Sequence, residues 1–293
     1  MKHFDQRVAV ITGAAAGFGK AFADMGAQLG MKLVLADIQG EALDAVVADF
    51  NARGVQAIGL RTDVSRSEQV QALADAAMAR FGRVDLLFNN AGVGAGGLVW
   101  ENSEQDWDWV LGVNLHSVIH GVRIFTPLML AAAAQDPGYE GHIVNTASMS
   151  GLLNAPAMGV YSVSKHAVVS LSETLHHDLG LVTEQVRCSV LCPYFVATGF
   201  QLSNTAPPTR SQQIAQAQSG KAVGSAKVSA AQIAQLTFDA IRDQSFYIYS
   251  HPEAMAPVQA RFEAIMNRRN PGDPFAGTGV TGGRQKLIDA LRG

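Results

Sequence analysis

Residues 8–19 read Val-Ala-Val-Ile-Thr-Gly-Ala-Ala-Ala-Gly-Phe-Gly, an apolar run that ends in a loop with three glycines. The apolar run predicts a strand buried on both faces, and a helical pattern begins directly after the loop. Glycine permits a tight turn and lets backbone N–H groups approach a phosphate at the amino-terminal end of a helix, where the helix dipole favours negative charge. These residues therefore predict a phosphate-binding strand–loop–helix unit.

Short apolar runs alternate with longer, Ala-rich helical patterns along the chain. The predicted strands cover residues 7–12, 32–37, 55–61, 84–89, 142–147, 186–191 and 246–249. The predicted helices between them include residues 41–51, 67–81, 103–134 and 161–182. Strands bounded by helices predict right-handed βαβ units and a parallel sheet covered on both faces. We expect a three-layer α/β fold with a doubly wound sheet of about seven strands.

The composition is that of a folded protein without a strongly charged partner. Of the 293 residues, 48% are hydrophobic and 16% are charged, which excludes a disordered chain. The formal net charge is -3 and the chain has no basic tract, so we expect neither nucleic acid nor an anionic membrane as a partner.

Three features predict a cytoplasmic protein. Cys188 and Cys192 lie too far apart in a predicted strand to bridge at about 3.3 Å per residue, so we expect reduced thiols in a reducing compartment. The N-terminal residues carry no signal-peptide apolar segment. The longest apolar stretch, residues 124–134, falls short of the roughly 18–20 residues that a membrane span needs.

Two regions break the alternation of strands and helices. Residues 198–225 are polar and rich in turn residues, which predicts a lid or substrate loop. From Asn270 the tail is rich in glycine, with Gly277, Gly279 and Gly282. This composition favours disorder, and the alternative is an arm that docks on another subunit.

Asp37 ends the second predicted strand, eighteen residues after Gly19. A carboxylate at this point can accept hydrogen bonds from both hydroxyls of an adenosine ribose and would repel a 2′-phosphate. Neither residues 14–16 nor Ile38 supplies a cation that could neutralise such a phosphate. The residues favour NAD over NADP, and the alternative is that Asp37 only caps the helix entered near Gln39.

Tyr161 and Lys165 lie four residues apart at the start of a predicted helix, so both side chains can converge on one pocket. A tyrosine has an ordinary pKa of about 10, which makes it a poor base at neutral pH. A nearby ammonium and a cationic nicotinamide ring would both favour the phenolate. Ser148 follows the fifth predicted strand, at the sheet edge where parallel sheets bind ligands.

Together these motifs resemble the short-chain dehydrogenase/reductase (SDR) family, in its compact one-domain NAD(P)-dependent branch with a Rossmann-type sheet. The matching residues follow the family's order and spacing over about residues 5 to 250 and comprise Thr12, Gly13, Gly17, Phe18, Gly19, Asp63, Val64, Asn89, Asn90, Ala91, Gly92, Asn114, Ser148, Tyr161 and Lys165. The resemblance implies a single domain over residues 1–293. Residues 1–194 would form mainly the cofactor-binding core, 195–228 a substrate-loop insertion and 250–293 a C-terminal extension.

The resemblance implies an NAD-dependent oxidoreductase that interconverts a secondary alcohol and a ketone by hydride transfer. Tyr161 would act as the acid/base, and Lys165 would lower its pKa and hold the nicotinamide ribose. Ser148 would hydrogen-bond the substrate oxygen. Asn114 would hold a water that links Lys165 to solvent, and it would kink its own helix; the alternative is a satisfied polar residue in a buried helix.

NAD is the expected cofactor, with NADP less favoured. The implied cofactor-binding residues are Gly13, Gly17, Phe18, Gly19, Asp37, Asp63, Val64, Asn90, Ala91, Gly92, Tyr161, Lys165, Val196 and Thr198. Two purely structural alternatives stay open, since Asp63 could cap a helix and Asn89 could brace the sheet.

The expected substrate pocket is apolar, which favours a secondary alcohol or ketone with aromatic or alicyclic bulk. Its expected lining residues are Ser148, Met149, Leu152, Met158, Tyr161, Tyr194 and Phe195, and the glycines of residues 94–97 are expected to leave room. Two residues depart from the family: Phe18 replaces an Ile or Leu, and Tyr194 replaces a glycine. Residues 246–268 are loosely similar to members that act on lignin-derived aryl alcohols.

Two other functions stay open: an SDR-type epimerase or dehydratase with retained NAD, and a non-catalytic dinucleotide-sensing regulator. The histidines lack partners at metal-ligand spacing, so we expect no metal. A homodimer or homotetramer is favoured by the apolar stripe of Leu171, Leu175 and Leu179 and by the resemblance, since family members are commonly dimers or tetramers. The other expected partner is a small-molecule substrate.

Overall fold

Seven parallel strands form one sheet in the computed structural model, which describes residues 1–274 and 283–292. The strands are β1 (Val8–Thr12), β2 (Lys32–Asp37), β3 (Ala57–Arg61), β4 (Leu86–Asn89), β5 (Gly141–Thr146), β6 (Val186–Cys192) and β7 (Tyr247–Tyr249). Their order across the sheet is β3-β2-β1-β4-β5-β6-β7. The predicted doubly wound parallel sheet is confirmed.

The apolar strand β1 lies at the centre of this order. It pairs with β2 on one side, where Val10 faces Val34, and with β4 on the other, where Val10 faces Leu87. The chain winds outward from β1 in one direction and then resumes at β4 in the other. The carboxyl ends of β1 and β4 therefore flank the crevice in which sheets of this kind bind ligands.

Helices cover both faces of the sheet, because alternate residues of each strand point to opposite sides. One layer holds α1 (Gly17–Gln28), α2 (Gly40–Ala52) and α8 (Ala230–Asp243), and the other holds α3 (Ser67–Phe81), α5 (Ser117–Gln135) and α6 (Gly159–Val182). Phe22 of α1 stacks on Phe88 of β4 with ring centroids 4.4 Å apart. On the opposite face Leu73 of α3 and Phe125 of α5 pack against Val10 and Val34.

The predicted helix over residues 103–134 is divided. It consists of α4 (Glu104–Leu111), a π-helical turn (Gly112–His116) and α5. As one stretch, Glu104–Gln135 is long and apolar enough to cross a membrane by length and mean composition alone, a test that the core helix of a folded domain also passes. In the structure this stretch flanks the sheet, and Val118, Phe125 and Met129 are buried there.

Residues 195–228 do not form the irregular loop that their composition predicts. They contain α7 (Arg210–Gly224), which begins with a capping box between Thr209 and Gln212. The helix is mostly polar, yet Ala215 and Val223 are buried beneath it. The predicted lid or substrate loop thus contains a helix of 15 residues.

The tail also contains more regular structure than its composition predicts. After β7 the chain forms α9 (Met255–Met266), and residues 283–292 form α10 (Gly283–Arg292), which contacts α7 with Leu287 buried. The expected disorder is therefore wrong for α10. Gly277, Gly279 and Gly282 lie outside the described residues.

Both cysteines are free and buried. Burial raises the pKa of the Cys188 thiol and of the Cys192 thiol to about 12, so neither is a reactive thiolate near neutral pH. They lie four residues apart in β6, so both side chains point to the same face of the sheet and fill the core there.

Candidate active site

The loop after β1 forms a cradle of bare backbone. Gly13 and Gly17 have left-handed backbone angles, with φ of +67° and +54°. A Cβ on Gly19 would lie 2.0 Å from the carbonyl oxygen of Gly13, so only glycine fits there. Helix α1 starts after Ala16 with no side-chain cap and no acidic residue in its first turn. Its first N–H groups are thus available to an anion such as a pyrophosphate.

Asp37 is buried at the end of β2 and reaches toward this loop. Its Oδ2 accepts a hydrogen bond from the N–H of Ala15 at 3.0 Å, and its Oδ1 accepts one from the N–H of Gln39 at 3.0 Å. The second contact agrees with the helix-entry alternative, whereas the first ties the carboxylate to the glycine loop. Each carboxylate oxygen keeps a further lone pair, so ribose hydroxyls can still be accepted.

Thr12 ties β1 to the loop after β4, a role that the sequence did not reveal. Its Oγ1 donates to the carbonyl oxygen of Phe88 at 3.1 Å and accepts hydrogen bonds from the N–H groups of Asn90 and Ala91 at 2.9 and 3.1 Å. The side chain of Asn90 donates in return to the carbonyl oxygen of Thr12. The two loops that would contact a dinucleotide are therefore fixed to each other.

Of the two structural alternatives, the structure contains the one for Asn89 and not the one for Asp63, because helix α3 begins after Arg66 without any side-chain cap. Asp63 accepts hydrogen bonds from both the N–H and the hydroxyl of Ser65, as a turn residue does, and Val64 beside it is buried. Asn89 donates to the side chain of Asn145 at 2.9 Å, which braces β4 against β5. Neither contact excludes a further contact with a bound nucleotide.

Asn114 lies in the π-helical turn between α4 and α5 and is almost fully buried. Its Oδ1 accepts from the N–H of Val93 at 2.8 Å, and its Nδ2 donates to the carbonyl oxygen of Val93 at 2.9 Å and to Ser164 Oγ at 3.0 Å. The helix is irregular at the residue for which a kink was predicted. Asn114 thereby links the loop after β4 to helix α6.

Lys165 of helix α6 and Ser148, which follows β5, lie next to the hydrogen bonds of Asn114, at the carboxyl edge of the sheet. Lys165 is 3% exposed, and its Nζ donates to the carbonyl oxygen of Thr146 at 2.9 Å. The same nitrogen lies 5.7 Å from the centroid of the Tyr161 ring. Ser148 Oγ accepts from the N–H of Ser150 at 3.1 Å and donates to the carbonyl oxygen of Pro193 at 3.4 Å.

Burial controls the titration of the two central groups. It raises the pKa of Tyr161 to about 12, and a hydrogen bond with Ser148 opposes that rise. Burial also lowers the pKa of Lys165 to about 8. The ring of Tyr161 is partly exposed, but its hydroxyl end is deep. The protein alone thus does not give Tyr161 the lowered pKa that the sequence led us to expect.

The expected pocket residues divide into two groups. Met149 and Leu152 are buried in a cluster with Val168 and Val190, so they serve mainly as core. The other residues are Met158, Tyr194 and Phe195. Met158 packs in one apolar cluster with Phe200, and the Tyr194 ring lies against Phe195, which is an exposed side chain. Of the two expected cofactor residues beyond β6, Val196 is buried in the core, and Thr198 Oγ1 accepts a hydrogen bond from the N–H of Phe200.

The glycines of residues 94–97 do not leave empty room, which corrects that expectation. A Cβ on Gly94 would lie 2.6 Å from Leu202 and 2.8 Å from Phe200, and a Cβ on Gly96 would lie 2.6 Å from Ala215. The cover formed by residues 200–215 therefore sits directly on this loop. Phe200, which the sequence analysis missed, places its ring centroid 5.8 Å from that of Tyr161.

Two carboxylates hold the cover in place. Glu101 Oε2 accepts hydrogen bonds from the hydroxyls of Thr209 and Ser211 at 2.7 and 2.5 Å. Asp106 Oδ1 accepts from the N–H and the hydroxyl of Thr205 at 2.7 and 3.0 Å. The capping sequence at Thr209 could have revealed this helix start, because Thr and Gln stand three residues apart.

Within residues 1–274 and 283–292, no group of three or more His, Cys, Asp or Glu side chains is arranged to hold a metal ion. His142, for example, is buried in β5 with its Nε2 2.8 Å from Ser189 Oγ, and burial lowers its pKa to about 3. Its chemistry is that of a neutral core residue.

The arrangement of strands and helices in this chain matches that of known proteins. The family model described as short chain dehydrogenase matches residues 7–208, which include the glycine loop, Asn114, Ser148, Tyr161 and Lys165. A short chain dehydrogenase/reductase of Burkholderia phymatum, solved in complex with NAD, is 55% identical. Its structure superposes with a TM-score of 0.89 over 94% of this chain and 99% of that one.

Two curated relatives extend the comparison over most of the chain. A CLA biosynthesis dehydrogenase/reductase of Lactiplantibacillus plantarum is 33% identical over 92% of this chain and 97% of its own length. A 1-deoxy-11-beta-hydroxypentalenate dehydrogenase of Streptomyces exfoliatus is 33% identical over 90% of each chain. Both relatives are named as dehydrogenases.

The glycine cradle makes a first prediction. We expect Gly19→Ala to abolish NAD binding, because the added Cβ would meet the Gly13 carbonyl oxygen. Gly180→Ala is the matched control, since its Cβ would meet nothing within 4 Å at an exposed position in α6. It should stabilise the fold by about 0.5–1 kcal/mol and leave binding unchanged.

Calorimetric titration with NAD and thermal unfolding of each variant measure these effects. Retention of parental NAD affinity in a folded Gly19→Ala protein would contradict the assignment of the cradle.

Proposed function

The chain belongs to the short chain dehydrogenase family, and from this premise we propose that it is an NAD-dependent dehydrogenase that interconverts a secondary alcohol and a ketone. The family match itself identifies the chain as an oxidoreductase. The observation that carries the proposal is the meeting of Ser148, Tyr161 and Lys165 beside the glycine cradle, at the carboxyl edge of the sheet.

In alcohol oxidation Tyr161 takes the proton of the substrate hydroxyl, and in ketone reduction it returns that proton. Ser148 Oγ donates to the substrate oxygen and can turn from Pro193 to do so, because that hydrogen bond is long at 3.4 Å. Lys165 favours the phenolate through its positive charge. NAD, when bound, would supply the acceptor for the hydride, the hydrogen with its electron pair, that leaves the carbinol carbon.

The residues fit NAD as the nucleotide. The uncapped start of α1 and the bare glycine backbone suit a pyrophosphate, and Asp37 suits the adenosine ribose. The negative charge of Asp37 would meet a 2′-phosphate with repulsion, which favours NAD over NADP. The complex of the Burkholderia relative with NAD supports the same choice.

The surroundings of the reacting groups favour an apolar substrate with aromatic or alicyclic bulk. Phe200 and Met158 belong to one apolar cluster beside Tyr161, and Tyr194 stands next to Phe195 with ring centroids 4.6 Å apart. The Streptomyces relative, named for a hydroxypentalenate, supports a hydroxylated substrate.

The predicted stripe of Leu171, Leu175 and Leu179 does not form an exposed face, because Leu175 and Leu179 are buried in the core and Leu171 packs against it. We still propose that the chain forms a homodimer or homotetramer, since α6 exposes Val163, Leu181 and Val182 to solvent in the single chain. Light scattering at micromolar concentration measures the mass directly. A mass near 31.0 kDa, that of one chain, would contradict this proposal. The cytoplasmic location stays a prediction.

The substrate prediction is tested with a panel of secondary alcohols, from cyclohexanol to bulky aryl carbinols, with NAD and with NADP. We expect turnover of the bulky members with NAD, because the pocket side chains are apolar and Asp37 disfavours the 2′-phosphate. The measurement is the absorbance of the reduced nucleotide. No turnover of any member, with NAD still bound, would overturn the proposed substrate class.

The proton path predicts a pH dependence. Because the phenolate of Tyr161 is the base and burial raises the pKa of Tyr161 to about 12, the oxidation rate should rise between about pH 6 and 8. Below the pKa the phenolate fraction grows about tenfold per pH unit. The rise should flatten above about pH 8, where Lys165 loses its charge. Ketone reduction uses the phenol and should stay flat below about pH 8.

Tyr161→Phe should lower turnover by about 100-fold or more and leave NAD affinity unchanged. Tyr247→Phe is the matched control, because this tyrosine is exposed and bonds Glu173 away from the site. Initial rates over pH and NAD titrations measure both variants. Full turnover in Tyr161→Phe would refute the proton path.

A further inference from the structure

Arg61 stands beside Asp37, although the two residues are far apart in the sequence. Arg61 is the last residue of β3 and pairs directly with Asp37 of β2 in the parallel register. Neighbouring strands lie about 4.8 Å apart, and paired residues point to the same face of the sheet. The side chain of Arg61 therefore leaves the backbone next to that of Asp37, whose carboxylate would hold the adenosine ribose.

Local contacts hold this arginine at the start of α2. Its Nε donates to the carbonyl oxygen of Ile38 at 3.2 Å. A Cβ on Gly40 would lie 3.3 Å from Cδ of Arg61, so the missing side chain of Gly40 leaves space for the aliphatic part of Arg61. The side chain lies against the backbone that follows Asp37 and does not extend away from it.

The charge of Arg61 has no carboxylate partner within 4.0 Å in the part of the chain that the structure describes. Arg7 and Arg83 both bind Asp85, and Arg53 binds Asp24 and Asp49. Asp37 itself receives the N–H groups of Ala15 and Gln39. Arg61 is an exposed residue, and its side chain is bonded to the backbone one residue after Asp37.

We propose that Arg61 forms a latent site for the 2′-phosphate of an adenosine nucleotide, next to the ribose site and suppressed by the charge of Asp37. The proposal rests on the proposed function, which locates the adenosine ribose at Asp37. A guanidinium offers parallel N–H donors that match phosphate oxygens. The charge of Asp37 thus disfavours NADP, although Arg61 beside it could bind the 2′-phosphate.

The test uses the full chain and measures NADP and NAD binding by calorimetric titration. Asp37→Ser removes the repelling charge and should tighten NADP binding by about 10- to 100-fold, the effect of one charge-assisted hydrogen bond. Adding Arg61→Gln should remove most of this gain, and adding Arg61→Lys should keep part of it, because lysine keeps the charge without the planar fork. Arg53→Gln in the Asp37→Ser background is the matched control and should keep the full gain.

The same gain in Asp37→Ser with and without Arg61→Gln would overturn the proposal. No gain in a folded Asp37→Ser protein that still binds NAD would also overturn it. Because Asp37 bonds two backbone N–H groups, Asp37→Asn serves as a second variant that keeps the shape of the side chain. Failure of the parent to bind either nucleotide would refute the proposed function, so the two failures are distinguishable.

Discussion

A buried ammonium is the constraint on which the rest of the site depends. Lys165 is nearly inaccessible to solvent and donates to the carbonyl oxygen of Thr146, while burial lowers its pKa to about 8. An ammonium-sized charge taken out of water costs several kcal/mol unless its donors are satisfied. A Cβ on Gly92 would lie 3.6 Å from its Nζ, so the bare backbone there keeps space in front of the charge for a hydrogen-bond acceptor.

The sheet order explains why this charge meets a nucleotide. Strands β1 to β3 carry the glycine loop and Asp37, whereas β5 and β6 lead into Ser148 and Tyr194. Strand β4 lies between these halves, and Thr12 binds the loop that follows it. Asn114 then connects that loop to α6, which carries Tyr161 and Lys165. Hydrogen bonds thus run from the glycine loop to the reacting groups without passing through solvent.

The strands could be predicted within two residues at each end, because a strand buried on both faces is a continuous apolar run that length and flanking glycines identify. Other features depend on tertiary contacts or on weaker signals. Helix α7 is mostly polar, so its period was obscured, although the spacing of Thr209 and Gln212 marked its start. The glycines near residue 96 suggested space, and the structure fills it with Phe200, Leu202 and Ala215. Arg61 lies next to Asp37 only because β2 and β3 pair in this register.

The central position of β1 also has a consequence for the chain as it leaves the ribosome. The first 61 residues contain β1, β2 and β3 with the helices between them, but one edge of β1 receives no partner until Leu86–Asn89 has been synthesised. An apolar strand with unpaired N–H and C=O groups is a template for pairing with other chains. The nascent protein therefore passes through an interval in which its most apolar strand is open to aggregation, and the arrival of β4 ends that interval.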